Sequence, residues 1–264
     1  MAPRTFLFAP GHNPRLVEKA TASSADHSVL DLEDGVPPDM KGLARTVACG
    51  RASIDPRVVV RINAVNTPFI DDDIEACRTS RVRLIMLPKA DPEAVDWVTS
   101  RLPAVQILAL VETAIGVVKA PETAQRPAVI RLALGAEDLA AQMQLGRIDE
   151  NNLNHVMAAL VLASAAGGLP GPIAPVTIRL DDPTAVRADA AFARSRGFRG
   201  KLLVHPDHID PAVDGLRPTI DETAWAREVC ANASDTGDLI RVGSYMVDAP
   251  VLSRARRILA EADS

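Results

Sequence analysis

The sequence predicts a (β/α)8 TIM barrel over residues 1–222, followed by a C-terminal helical extension and lid over 223–264. Three observations lead there. Eight short apolar runs alternate with segments of helical pattern, the arrangement of a parallel sheet with helices outside it. The total of 264 residues is long for an ordinary domain and normal for this one. Charged residues stand repeatedly at the C-terminal ends of the apolar runs, where such a barrel collects its chemistry.

The elements follow in order. Arg4–Phe8 is a first strand, stopped by Pro10-Gly11, and Asn13-Pro14 starts a helix with proline at its first position, running toward Ala20. Ser28–Leu32 is the second strand, ending in Glu33-Asp34-Gly35, with a helix over Lys41–Cys49. Val58–Ile62 and then Asn63 precede a polar helix over Asp71–Arg78; Leu84–Leu87, closed by Pro88-Lys89, precedes a helix opened by Asp91-Pro92. Gln106–Val111, ending in Glu112-Thr113, and Val129–Leu134, ending in Gly135-Ala-Glu137-Asp138, are apolar throughout, as strands buried on both faces are. Beyond an apolar helix over Leu153–Ala165 and the breakers Gly167–Pro172, Val176–Ile178 is a weak seventh strand. Thr184–Ser195 is helical, and Gly200–Val204 is the eighth strand, ended by His205-Pro206. The tail carries a helix around Trp225 and a last segment from Gly243 to Ala260.

Composition narrows the function. A chain 47% hydrophobic and 24% charged can build a large core, and with 3% aromatics that core is aliphatic. A formal charge of −5, without basic runs, argues against nucleic acid. Cys49, Cys77 and Cys230 are far apart and form no CxxC pair, so reduced thiols of a cytoplasmic protein are expected. No apolar run approaches the ~20 residues that cross a bilayer.

The predicted rim carries Glu33 and Asp34, Arg61 with Asn63, Lys89, Glu112, Asp138 and His205. Glu112 and Asp138 lie one strand–helix–strand repeat apart and emerge side by side if their strands are neighbours. Each alone fits a helix N-terminus equally well; as a pair of hard oxygen donors they suit Mg²⁺, which takes one or two carboxylates and leaves its other positions to water and substrate. Arg61 within an apolar strand needs a counter-charge, either Glu33 or Asp34 one strand away or a substrate carboxylate gripped by its fork. Of the three acids in Asp31-Leu-Glu33-Asp34, one is expected to reach a metal shell through water. Lys89 is expected to pair with the acidic rim rather than form a Schiff base. Pro206 argues against His205 and His208 as an i,i+3 metal pair. Residues 197–202 fail the P-loop pattern, and no GxGxxG follows the first strand.

Read together, Leu7–Gly11 with Glu18-Lys-Ala20, Leu30–Val36, Val60–Asn63, Leu87–Lys89, Val111–Thr113, Leu134–Leu139, Gly197–Lys201 with His205-Pro206, and Gly243–Pro250 resemble the citrate lyase β-subunit group of the HpcH/HpaI aldolase superfamily, which includes malyl-CoA and citramalyl-CoA lyases. The resemblance spans nearly the whole chain. It implies a trimeric barrel enzyme, or a dimer of trimers, that binds Mg²⁺ through Glu112 and Asp138 and holds a keto-acid carboxylate with Arg61. Glu33 is expected to act with Arg61 in catalysis, and Asn63 and Lys89 to contact the substrate; the resemblance further implies Lys19 and Lys201 at the mouth toward a CoA or carrier-protein thioester, and Asp248 as an acid/base reaching a neighbouring subunit. Arginines common in the group are replaced here at Asn13 and Leu16, and a usual aspartate by Ala174. The implied reaction is cleavage or formation of a 3-hydroxyacyl thioester; an aldolase acting on free 2-keto acids and a non-catalytic metal-binding subunit are the alternatives.

Overall fold

The computed structural model describes residues 2–146, 152–232, 240–243 and 245–262. It divides into two compact units, Ala2–Leu216 and Arg217–Ser264, a boundary ahead of the 222/223 division expected from sequence.

The first unit is a closed eight-stranded parallel barrel with strands in sequential order. Its elements are β1 Thr5–Pro10, α1 Pro14–Thr21, β2 His27–Asp31, α2 Lys41–Ala52, β3 Val58–Arg61, α3 Ile70–Thr79, β4 Leu84–Leu87, α4 Pro92–Thr99, β5 Gln106–Val111, α5 Ala114–Val118, α6 Ala120–Ala124, β6 Val129–Leu134, α7 Ala136–Gln142, α8 Asn154–Ala166, β7 Ile173–Ala174, α9 Pro183–Ser195, β8 Gly200–Leu203 and α10 Ile209–Leu216. Alternation along the strands sorts the side chains. Phe6, Val29, Val59, Met86, Leu108, Leu110, Ala133, Ile173 and Leu202 fill the barrel. Their neighbours, among them Leu7, Leu30, Val60, Leu132 and Leu203, pack outward against the helices. At the N-terminal end, the Arg131 guanidinium lies over Phe6 and donates to the carbonyls of Pro3 and of Gly171 (2.8 Å).

Helix starts repeat one device. Asn13, Asp91 and Asp182 each accept a backbone N–H from the residue three positions on, and a proline follows each. The helices α1 and α4 therefore begin close to the ends of β1 and β4, and the rim there is left to short loops.

The seventh strand is a correction. Ile173–Ala174, not Val176–Ile178, pairs with Ala133 of β6 and with Gly200 and Lys201 of β8. Pro172 and Pro175 bracket it, and Pro175, without an N–H, stops the ladder. A two-residue strand has no period to read, and the apolar Ile178 is two-thirds exposed.

The second unit contains α11 Ile220–Asn232, an antiparallel hairpin of β9 Ile240–Val242 and β10 Tyr245–Val247, and α12 Ala249–Ala262. Ala226, Val229, Val242, Val247, Leu252, Ala255 and Ile258 form its core. The hairpin is absent from the sequence expectation, since three-residue strands around Gly243 offer little alternation.

Candidate active site at the barrel rim

Five consecutive strands, β2 to β6, deliver the charged residues of the site. Asp31 ends β2 and Arg61 ends β3, and the two are register partners. The Arg61 guanidinium grips Asp31 with both arms, Nε–Oδ1 2.6 Å and Nη2–Oδ2 2.7 Å, and its Nη1 lies 3.0 Å from Glu33 Oε2. Its plane sits 5.0 Å from the Phe8 ring centroid. Burial works against the charge, but Asp31 and Glu33 outweigh it and hold the guanidinium pKa above its ordinary value. The structural partner of Arg61 is thus Asp31 together with Glu33; Asp34, the other partner considered from sequence, is exposed.

Lys89 follows β4 in a left-handed conformation, φ +49°, which a side-chain-bearing residue adopts uncommonly. Its amide donates to Glu112 Oε1 at 2.9 Å. Its ammonium donates to Glu33 Oε1 at 2.8 Å and lies 3.6 Å from Glu112 Oε1 and 3.5 Å from Asp138 Oδ2. Glu33 and Glu112 are buried, with side-chain exposures of 5% and 4%, whereas Lys89 and Asp138 are open to 38% and 44%. The cluster therefore has a dry wall and an open mouth.

Glu112 follows β5 and Asp138 stands in the first turn of α7, just beyond β6. Gly135 leaves room for the first of them, since a Cβ there would fall 2.5 Å from Glu112 Oε2, and both acids lie within 3.6 Å of Lys89 Nζ. Burial, helped by the charges of Glu33 and Asp138 and opposed by Lys89, pushes the Glu112 carboxyl up to about 7. Burial also raises Glu33, against the pull of Arg61 and Lys89.

Four acids (Asp31, Glu33, Glu112, Asp138) face two bases (Arg61, Lys89), so with every group ionised the cluster carries 2 − 4 = −2. Among the described residues no group of three or more His, Cys, Asp or Glu side chains closes into a metal cage. The donor set suits instead a hard cation that takes two carboxylates and completes its shell with water and substrate oxygens. The surplus negative charge, the Gly135 gap and the raised Glu112 pKa fit Mg²⁺ at Glu112 and Asp138.

A second layer braces this one. Lys41, at the start of α2, is buried and donates to the carbonyls of Leu32 (2.5 Å) and Glu33 (2.7 Å) and to Asn63 Oδ1 (2.8 Å). The Asn63 amide donates to Asp73 Oδ2 at 2.6 Å, and Arg45 Nε holds Asp73 Oδ1 at 2.6 Å. The Asn63 carboxamide, expected at the substrate, is thereby engaged at both ends within the wall. Lys41, Asn63, Asp73 and Arg45 form a bracing network absent from the sequence reading. A lysine opening a helix, where the macrodipole disfavours a cation, was the signal that could have marked Lys41.

Two expectations are corrected in position. Lys19 is exposed in the last turn of α1, a helix that runs back from the rim, so it lies at the far end from the mouth. Lys201 shares the outward face of β8 with Leu203, is 1% exposed, and donates to the Pro175 carbonyl at 2.8 Å. It belongs to the layer beneath α9 rather than to the mouth. Within its own chain Asp248 caps α12, its Oδ1 accepting the Val251 N–H at 3.0 Å, a local role discounted from sequence. His205 accepts the Asp207 N–H at 3.3 Å, while buried His208 faces the Leu180 carbonyl at 3.1 Å, so the two rings serve separate backbone contacts.

The fold and rim define a (β/α)8 barrel protein with a carboxylate pair, a forked arginine and a lysine converging where such barrels bind small anionic molecules. Comparison with known proteins gives the family. The HpcH/HpaI aldolase/citrate lyase model matches residues 4–206 and the HpcH/HpaI aldolase C-terminal domain model residues 221–264; the chain belongs to this family. It is 35% identical to a citrate lyase subunit beta-like protein of Mycobacterium tuberculosis, over 97% of this chain and 94% of that one. It is 30% identical to a (3S)-malyl-CoA thioesterase of Cereibacter sphaeroides, over 99% and 95%. Among solved structures, protein CitE from Mycobacterium tuberculosis in complex with magnesium, acetoacetate and coenzyme A superposes with a TM-score of 0.89 at 32% identity, covering 100% of this chain and 99% of that one.

Proposed function

We propose that this protein is a Mg²⁺-dependent carbon–carbon lyase that cleaves or forms a 3-hydroxyacyl thioester such as citryl-, malyl- or citramalyl-CoA, the products of cleavage being an acetyl thioester and a 2-keto acid. The observation that carries the reading is the Glu112–Asp138 pair opposite Arg61 on one rim. The similarity to a protein solved with magnesium, acetoacetate and coenzyme A supports it.

Glu112 and Asp138 would hold the Mg²⁺, which when bound supplies Lewis-acid stabilisation of the oxyanion that becomes the keto group. Arg61 donates two of its five N–H groups to Asp31, and its Nη1 faces Glu33 Oε2 at 3.0 Å as an ion pair. The N–H groups not spent on Asp31 would serve the substrate carboxylate, and Asp31 keeps the fork from rotating. The burial of Asp31 and Glu33 strengthens these contacts. In cleavage the hydroxyl loses its proton to water, the carbon–carbon bond breaks, and its electron pair passes to the thioester enolate. Asp248 from a neighbouring copy, in its acid form, protonates that enolate. This makes the working unit a homotrimer or a dimer of trimers. The free thiols and the absence, among the described residues, of a helix long and apolar enough to cross a membrane support action in the cytoplasm.

The test is titration calorimetry and turnover of the full chain with acetyl-CoA and, separately, glyoxylate, pyruvate and oxaloacetate. Mg²⁺-dependent binding of a keto acid and condensation with acetyl-CoA are expected; full activity after exhaustive chelation defeats the reading. Cleavage of free hydroxy-keto acids without a thioester would instead assign the aldolase alternative. Mixing inactive Asp248→Ala and inactive Glu112→Ala chains tests the shared site: recovered activity is expected, and none, with subunit exchange verified, removes Asp248 from the neighbouring site.

A further inference from the structure

The Lys89 ammonium lies near both of the carboxylates assigned to the metal. It is within 3.6 Å of Glu112 and 3.5 Å of Asp138, yet its hydrogen bond goes to neither; it goes to Glu33 at 2.8 Å. The backbone of the same residue holds Glu112 by the amide N–H at 2.9 Å. Lys89 thus plays two parts on one carboxylate, a fixed one through its main chain and a movable one through its side chain. The left-handed φ makes this possible by turning the amide toward β5 while the side chain folds back across the rim.

The two cations of the site differ in mobility. Arg61 is forked onto Asp31 and 14% exposed, so it cannot leave. Lys89 is 38% exposed, on a flexible four-carbon stem. We propose that Lys89 is the site's built-in counter-ion: anchored on Glu33, its ammonium lies close enough to Glu112 and Asp138 to neutralise them in part, and so sets their affinity for a divalent cation. The inference rests on the Mg²⁺ reading above. Its physical basis is that a monovalent charge within 3.6 Å of two carboxylates both lowers the field that attracts a dication and repels it once bound. Glu33 is then a docking acid, and its 5% exposure makes it a strong one.

Calorimetric titration of the full chain with MgCl2 tests this without any turnover. Lys89→Met and Lys89→Asn remove the ammonium and keep the amide, and asparagine tolerates the left-handed backbone. Both are expected to bind Mg²⁺ roughly ten- to a hundredfold more tightly than the parent, with the difference shrinking at high salt. Glu33→Gln, which removes the dock and leaves the ammonium on the ligands, is expected to bind more weakly than the parent. Circular dichroism melts establish that each variant is folded. Unchanged or weaker Mg²⁺ binding in a folded Lys89 variant overturns the proposal and leaves the metal reading standing. Mg²⁺ binding absent from the parent chain overturns both.

Discussion

Lys89 and Lys201 both sit at barrel strands, and their charges behave oppositely. Lys89 is partly open and has Glu33, Glu112 and Asp138 within 4 Å; these acids outweigh its desolvation, and its pKa is raised. Lys201 is 1% exposed with a neutral carbonyl for a partner; burial dominates, Asp189 offsets only part of it, and its pKa falls to about 8. The C-terminal rim of β2–β6 is built from charges that answer one another, whereas β8 carries one that is poorly answered. Paired groups concentrate where ligands are to be exchanged; the isolated one is a cost carried by the fold.

The largest effect is expected from removing a carboxylate on the paired side. Glu112→Ala and Asp138→Ala each abolish Mg²⁺ binding and lower turnover about a thousandfold or more. The barrel stays folded, since like charges crowd that rim. Calorimetry and a thermal melt check both halves of the statement, and a variant that retains Mg²⁺ binding moves the metal site elsewhere.

Arg61→Lys comes next. It keeps the charge but loses the fork that serves Asp31 and Glu33 at 2.6, 2.7 and 3.0 Å. About 2–3 kcal/mol of stability should be lost in urea unfolding, with keto-acid affinity weakened at saturating Mg²⁺. A variant as stable as the parent would place Asp31 and Glu33 on the forgiving side of the comparison.

Lys201→Met acts in the other direction. With a folded pKa of about 8 against an ordinary value of 10.5, the folded chain binds fewer protons than the unfolded chain between those values. Stability from this group is therefore complete above 10.5 and lost as pH falls through 8. At pH 7 the variant should gain about 1–3 kcal/mol over the parent, a difference that narrows as pH rises from 8 to 10.5. A constant difference across that range would mean that Lys201 stays charged in the fold.

The smallest effect is expected from Ala174→Asp. Ala174 is the register partner of Lys201 and shares its outward face, so the new carboxylate faces the buried ammonium. Desolvation offsets most of the attraction, leaving stability within about 1 kcal/mol of the parent. The same substitution in Lys201→Met strands a buried carboxylate and should cost about 3 kcal/mol or more. Additivity in this double-mutant cycle would show that the two side chains do not meet.

The sequence by itself determined the barrel and the identity of its rim. Runs such as Gln106–Val111 are apolar on both faces, and such runs seal a barrel from within and without wherever they occur. The acids and bases that follow those strands came to the rim because short capped turns leave them nowhere else to go. Only the tertiary structure decided the partners and the directions. That Arg61 takes Asp31, that Asn63 is consumed by Lys41 and Asp73, and that Lys201 faces a helix depend on contacts between residues far apart in sequence and on one-residue parity along a strand. The two-residue β7 was fixed by its neighbours, since hydrogen bonds from β6 and β8 rather than its own composition make it a strand.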